Sequence, residues 1–299
     1  MNIRLFLSLL LIFWCYLSSE AQIKREKIEY EDDQAKSEKI SSEEFLSSMN
    51  FDHTFYFNVG LGGHFGLGGS NVYSQNPSQF SVHSLSYGNG VELNGGIGFH
   101  LNKNLAFEAN VGYQFGGENK FANSDISNGN FIEANFYYSA NIFKINPAIV
   151  LNLPTQNFTT YLKFGPSIGF SKRKEVQDLL FNGSSNLILT YEDVSGTGVG
   201  LTSSVGFKKP ILDGGAFVYA ELNYSALNQT YTKGSMVEAT QDGFDVLNTY
   251  DIADREYLYV NTIDKNYIVT NPNVPQLKLN EYFNFNSLGL KVGFILLLH

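Results

Sequence analysis

Eight stretches of the chain alternate apolar and polar residues with a period of two, the spacing of a β-strand with two unlike faces. In the third, Phe107, Ala109, Val111, Tyr113 and Phe115 fall on one side, and Glu108, Asn110, Gly112 and Gln114 on the other. The fifth sets Leu162, Phe164, Pro166, Ile168 and Phe170 against Tyr161, Lys163, Gly165, Ser167 and Gly169. A soluble sandwich also alternates, but its apolar face is the buried one. Here the face left for an interior would hold Glu, Lys, Asn and Gly, with aromatic and aliphatic residues outside. A strand needs that inside-out arrangement when its solvent is lipid.

The other strands follow the same rule. The first turns Phe55, Phe57, Val59, Leu61 and Phe65 outward, and the second Val91, Leu93, Ile97 and Phe99. The fourth does so with Phe143, Ile145, Pro147, Ile149, Leu151 and Leu153, the sixth with Val199, Leu201, Val205 and Phe207. The seventh presents Val218, Ala220, Leu222 and Tyr224, the eighth Leu288, Leu290, Val292, Phe294, Leu296 and Leu298. Above the fourth strand the apolar set (Ile132, Ala134, Phe136, Tyr138, Ala140) changes phase, which predicts a bulge near Ile142. Short turns follow strands two, four and six, and long loops (68–88, 117–130, 172–195, 230–281) follow the odd ones. The pattern predicts an all-β chain: an eight-stranded, antiparallel, up-and-down transmembrane β-barrel with short periplasmic turns and long extracellular loops. Tyr257–Val260 and Asn266–Thr270 could add a hairpin and raise the count to ten; both runs are too short to span, so they read as a projection of the last loop.

The first residues change the picture. Arg4 precedes an apolar run from Leu5 to Leu17, and Ser19 and Ala21 form a small-x-small cleavage site, so residues 1–21 read as a signal peptide. The run is shorter than the ~20 residues of a spanning helix. Cleavage removes Cys15, the chain's one cysteine, and with it any disulfide or thiolate metal site. Bulky Trp14 before Cys15 argues against lipidation. Residues 22–50 are crowded with Lys, Arg, Glu and Asp and contain no glycine, the composition of a solvated periplasmic leader. The barrel occupies 51–299. A net charge of -9 without a basic stripe excludes nucleic acid as a partner.

The strand layout, periplasmic ends and polar interior resemble the small outer-membrane barrels related to the OmpA transmembrane domain and OmpX. The glycine- and asparagine-rich strands and a mature start at Gln22 are similar to outer-membrane β-barrel proteins of Bacteroidota. Assembly signals in such families read polar-x-Gly-x-x-apolar-x-apolar in the last strand. Lys291, Gly293, Leu296 and Leu298 match that order, with His299 in place of the usual terminal aromatic. The resemblance implies the bacterial outer membrane, its lipids and lipopolysaccharide, and the barrel-assembly machinery as surroundings and partners.

Candidate chemistry lies inside. Glu92, Glu108 and Glu221 point inward, as do Lys144, Lys163 and Lys291, three of each sign in a lumen that eight strands make only wide enough for side chains. They read as a plug of ion pairs, with a gated ion path as the other reading. Tyr56, Tyr161, Phe217 and Tyr219 fill space against inward glycines. Lys172, Arg173 and Lys174 leave the membrane together on the outer side, where they could meet lipopolysaccharide phosphates. Tyr113, Phe115, Tyr137, Tyr138 and Tyr224 suit an outer aromatic girdle, and Phe158 and Phe207 an inner one. His83 with Ser84 and Ser86 is the one cluster that could serve an enzyme, and Asp242, Asp245, Asp251 and Asp254 match no EF-hand spacing. Neither carries a catalytic or metal site, and no cofactor motif is present. The expected protein is a monomeric, non-enzymatic barrel acting in envelope integrity or surface interaction through its loops. A narrow conduit for ions or small hydrophobic solutes, and an accessory subunit contacting an extracellular or periplasmic protein, are the alternatives.

Overall fold

The computed structural model describes residues 54–76, 79–127, 130–155, 158–211, 215–265, 267–269 and 271–298, with backbone alone over 70–83 and 125–131 within these. The predicted signal peptide, leader and Cys15, the turn residues Asp213 and Gly214, and His299 lie outside the described residues. No described helix is long and apolar enough to cross a membrane.

Strand β1 (Phe55–Gly66) leads into a hairpin of β2 (Ser70–Asn76) and β3 (Gln79–Leu85), then β4 (Gly90–Asn102) and β5 (Leu105–Gly116). After β6 (Asn119–Ser127) come three long strands, β7 (Asn130–Pro154), β8 (Thr159–Phe181) and β9 (Ser185–Ile211), followed by β10 (Ala216–Thr230). The remainder holds β11 (Lys233–Gln241), β12 (Phe244–Asp245), a 3-10 turn (Leu247–Thr249) and one short helix, α1 (Ile252–Arg255). It ends with β13 (Glu256–Val260), β14 (Gln276–Leu279), β15 (Phe283–Asn284) and β16 (Ser287–Leu298).

The pairing makes a circuit. β1 pairs with β4, then β5, β7, β8, β9, β10 and β16 follow in order, and β16 returns to β1; every step is antiparallel. Closure leaves these strands no free edge within the ring, which matters where no water is present to satisfy one. Alternation then sorts the side chains as the pattern predicts. Leu61, Ile97, Phe164 and Val199 stand outside at 49%, 61%, 58% and 75% exposure, while Asn58, Glu92, Ser167 and Lys291 are buried inside.

The bulge expected near Ile142 is not formed. Register runs through this residue without a shift, with Gln114↔Ile142 on one side and Ile142↔Ser171 on the other. Alternation is unbroken along β7, so Ala134, Ala140 and Ile142 face inward with Lys144 and Ala148. The apolar set changes phase because the upper interior is itself apolar. The ladder lapses elsewhere. Between Ile145↔Ile168 and Ile149↔Phe164 no β7–β8 partners pair, and by that register Pro147 stands across from Pro166. Two prolines facing each other remove both amide donors of one rung.

Three stretches expected as loops are largely strand. β8 and β9 stay paired from Thr159↔Lys208 to Phe181↔Ser185 and reverse at Asn182 (φ 50°) and Gly183 (φ 69°), positive dihedrals that suit an Asn-Gly hairpin. β2 and β3 occupy the first such stretch, and β6 pairs with the upper part of β7. β11 pairs with the β9 extension, and β13 lies between β11 (antiparallel) and β14 (parallel). The hairpin foreseen at 257–260 and 266–270 is therefore replaced by the β13–β14 pair, outside the ring.

Candidate functional site

The interior of the ring is layered. At the end where the chain enters, Tyr56, Ala106, Val150, Tyr161, Phe217, Tyr219 and Ile295 form an apolar cluster. Inward glycines make room for its rings: a Cβ on Gly98 would collide with the Tyr56 ring, one on Gly206 with Tyr161, and one on Gly60 with the Tyr219 hydroxyl. The sequence pattern anticipates this packing of aromatics against glycines.

The charged layer splits into two groups. Glu92, 0% exposed, is ion-paired with both Lys144 and Lys291, with the His64 Nε2 3.5 Å away. Lys144 also donates to Gln114 Oε1 at 2.9 Å. In the second group the charges invert: Lys163 bridges Glu108 and Glu221, reaching the latter at 3.3 Å. Tyr56 donates to Glu108 at 2.8 Å and Tyr161 to Glu221 at 2.9 Å. All six predicted residues thus meet, in two sets of three. Lys163 serves Glu108 and Glu221, and Glu92 belongs to the other set.

A fourth inward lysine was missed. Lys208, which with Lys209 and Pro210 falls where the pattern predicts the short turn after strand six, lies within β9 and is buried above the Phe217 ring at 5.5 Å.

At the far end lies a second apolar cluster. Leu85, Tyr87, Ala140, Ile142, Leu227, Tyr231, Phe283 and Phe285 are buried together, with Tyr138 packed against them. Tyr138 therefore belongs to the inner packing and not to an aromatic girdle. The three basic residues at this level do not act together. Period two sends Lys172 and Lys174 outward, where Lys172 pairs with Glu192 at 2.6 Å, and turns Arg173 inward. Arg173 is 8% exposed, ion-paired with Asp193, and lies 4.2 Å from the Phe283 ring centre. Asp193 also accepts from the hydroxyls of Tyr257 at 2.7 Å and Tyr259 at 3.3 Å. One carboxylate thus fastens the segment between β11 and β16 to the top of the ring. Burial raises the Tyr257 phenol, and neighbouring Asp193 raises it further; burial pushes that of Tyr87 up to about 12.

Members of the clusters weighed for catalysis and for a metal have structural partners. Ser86 Oγ donates to the Asn286 carbonyl at 2.8 Å and accepts from the Gly88 amide at 3.1 Å; the His83 side chain lies outside the described residues. Asp242 accepts from Ser185 Oγ and the Asn186 amide, holding a turn. Among the described residues no three His, Cys, Asp or Glu side chains converge as metal ligands. Ser287, His64 and Glu92 do line up, at 3.4 and 3.5 Å, but all three are buried at 4% exposure or less, without access for a substrate.

No family model matches the chain, and no curated relative matches it. Among solved structures it is similar to the outer membrane protein OprG from Pseudomonas aeruginosa, at TM-score 0.42 and 10% identity, over 83% of this chain and 97% of that one. It is also similar to Ail, the attachment invasion locus protein of Yersinia pestis, at TM-score 0.32 and 10% identity, over 83% and 99%. A third is Acinetobacter baumannii CarO2, at TM-score 0.29 and 11% identity, over 81% and 99%. The chain resembles small outer-membrane β-barrel proteins. Nothing in these matches supports the similarity to Bacteroidota proteins.

Proposed function

We propose that the chain is an eight-stranded outer-membrane β-barrel, closed along its axis, that acts without catalysis at the cell surface through its outer strands and loops. The inside-out ring supports this reading most strongly. Its outer face is a continuous belt of Phe, Leu, Val and Ile, whereas apolar patches on soluble monomers rarely exceed roughly 300–600 Å². Lipid covers such a belt without cost. Short turns then face the periplasm, and the β7–β9 extensions, β11 and the segment 231–286 face outward. Lys172 and Lys174 remain as outward cations for lipopolysaccharide phosphate. Lys291, Gly293, Leu296 and Leu298, on the last strand, would address the assembly machinery.

Closure follows from the layers: an aromatic cluster at each end and neutralising ion pairs between. Because Cys15 is the one cysteine, single-cysteine variants of the mature chain can be spin-labelled cleanly. Labels at Leu61, Val111 and Phe164 should collide with oxygen dissolved in the bilayer and be shielded from a water-soluble nickel chelate. Equal nickel access at all three positions would refute the membrane placement.

A further inference from the structure

Two stretches of chain at the far end break the alternation that governs the wall. Leu85, Ser86, Tyr87 and Gly88 are buried in succession, and so are Phe283, Asn284 and Phe285. A wall strand turns every second side chain outward, so runs of buried neighbours mean that the backbone itself passes through the interior. The two runs lie against each other. The Tyr87 amide donates to the Asn284 carbonyl and Ser86 Oγ to that of Asn286, both at 2.8 Å. A Cβ on Gly88 would stand 2.5 Å from the Asn286 carbonyl oxygen, which leaves glycine as the residue that fits this approach.

Residues 86–89 belong to no strand and are held mostly by side chains. On the lumen side, Gln114 Nε2 donates to the Gly88 and Asn89 carbonyls at 2.9 and 3.1 Å, while its Oε1 accepts from Lys144, a partner of Glu92. On the outer side, Arg173 donates to the Tyr87 hydroxyl at 3.3 Å. Arg173 is set by Asp193, and Asp193 also holds Tyr257 of β13. Polar contacts therefore run unbroken from Glu92 in the lumen, through residues 86–89, to β13 outside. We propose that residues 86–89 are a strap across the outer mouth, latched by Arg173, whose release opens the outer half of the lumen to water while the inner half stays shut. Backbone ladders hold the ring, so the strap moves without breaking the wall. The cluster around Tyr56, Tyr161 and Phe217 takes no part in it and keeps the inner end packed. Because Asp193 serves both Arg173 and β13, lifting β13 at the surface loosens the latch. The proposal rests on the closed interior described above.

The test uses the refolded protein in detergent, expressed without residues 1–21 and so without a cysteine of its own. One reporter is Ser287→Cys: Ser287 is 1% exposed and pairs with Gly66, which faces Ser86 of the strap. The other is Ser204→Cys, at a position 6% exposed and level with Lys163. Each is followed by its rate of reaction with a charged, water-soluble methanethiosulfonate. With the latch intact both react slowly. Tyr87→Phe removes the hydroxyl that Arg173 holds but keeps the ring, and Asp193→Asn frees β13. Each should speed labelling of Ser287→Cys about tenfold or more, since modification follows the open population, and leave Ser204→Cys unchanged. No acceleration at Ser287→Cys in either variant overturns the strap. Equal acceleration at both positions also overturns it, because the interior then loosens as a whole. Fast labelling at both with the latch intact contradicts the closed interior itself, and the strap with it.

Discussion

Replacing Lys163 by methionine removes the one cation between two buried carboxylates while keeping the length of the side chain. Lys163 contacts Glu108 and reaches Glu221 at 3.3 Å, and both glutamates are at most 6% exposed. Among the described residues neither acid has another ammonium within ion-pair distance; what remains at hydrogen-bond distance is one tyrosine hydroxyl each and the Asn110 amide. Removing one member of a buried pair costs about 3–5 kcal/mol, since the partner's charge is left without compensation. With two acids stranded, the upper part of that range applies. For about 4–5 kcal/mol, at about 2–4 °C per kcal/mol, the midpoint should fall by roughly 8–20 °C. Heat-modifiable gel migration and far-ultraviolet dichroism in detergent read it directly. Adding Glu108→Gln and Glu221→Gln to Lys163→Met should recover much of the loss, because the amides carry no stranded charge. An unchanged midpoint for Lys163→Met, or a triple variant less stable than the single one, would refute the ion-pair reasoning.

Asp193→Asn should leave buried Arg173 with only Glu175, at 3.7 Å, as an ion-pair partner and weaken the hold on Tyr257 and Tyr259, so limited proteolysis should cut within 231–286 much faster while the ring stays protected; unchanged cleavage would contradict this role. The same end of the molecule should loosen in alkali. The Tyr87 and Tyr257 phenols are raised in the folded state, Tyr87 to about 12, so stability there is full below the unfolded phenol value of ~10 and declines as pH climbs above it. Protection of 231–286 at pH 11 equal to that at pH 8 would count against it. Replacing both Pro147 and Pro166 by valine restores two amide donors, each worth about 0.5–1.5 kcal/mol, and should slow hydrogen exchange over 145–149 and 164–168; no change in exchange there would mean that the seam is satisfied by other means.

Much of the ring was legible because its code is short. A period of two, read against lipid, is enough to place Phe57, Ile97, Phe164 and Leu290 outside and Asn58, Glu92 and Lys291 inside. The same rule, followed further, would have turned Arg173 inward and separated it from Lys172 and Lys174. Treating a basic triplet as one cluster overrode the alternation. The apolar inward set of Ala134, Ala140 and Ile142 was misread as a slip because a polar interior was assumed along the whole height. Asn182-Gly183 is a strong hairpin signal, and giving it weight would have turned the supposed loop at 172–195 into strand.

Which lysine meets which glutamate could not be read from the chain. It depends on the stagger between strands, set by closure of the whole ring and not by any local pattern. Asp193 was invisible for the same reason: from β9 it meets Arg173 of β8 and Tyr257 and Tyr259 of β13, strands brought together only by the fold.

Planar-bilayer conductance of the refolded mature protein tests the central claim most directly, that the ring is lipid-facing outside and shut inside. The layered interior predicts silence, broken at most by brief, small openings. A steady ohmic current would contradict closure and make the Glu92 and Glu108–Glu221 groups the lining of an ion path.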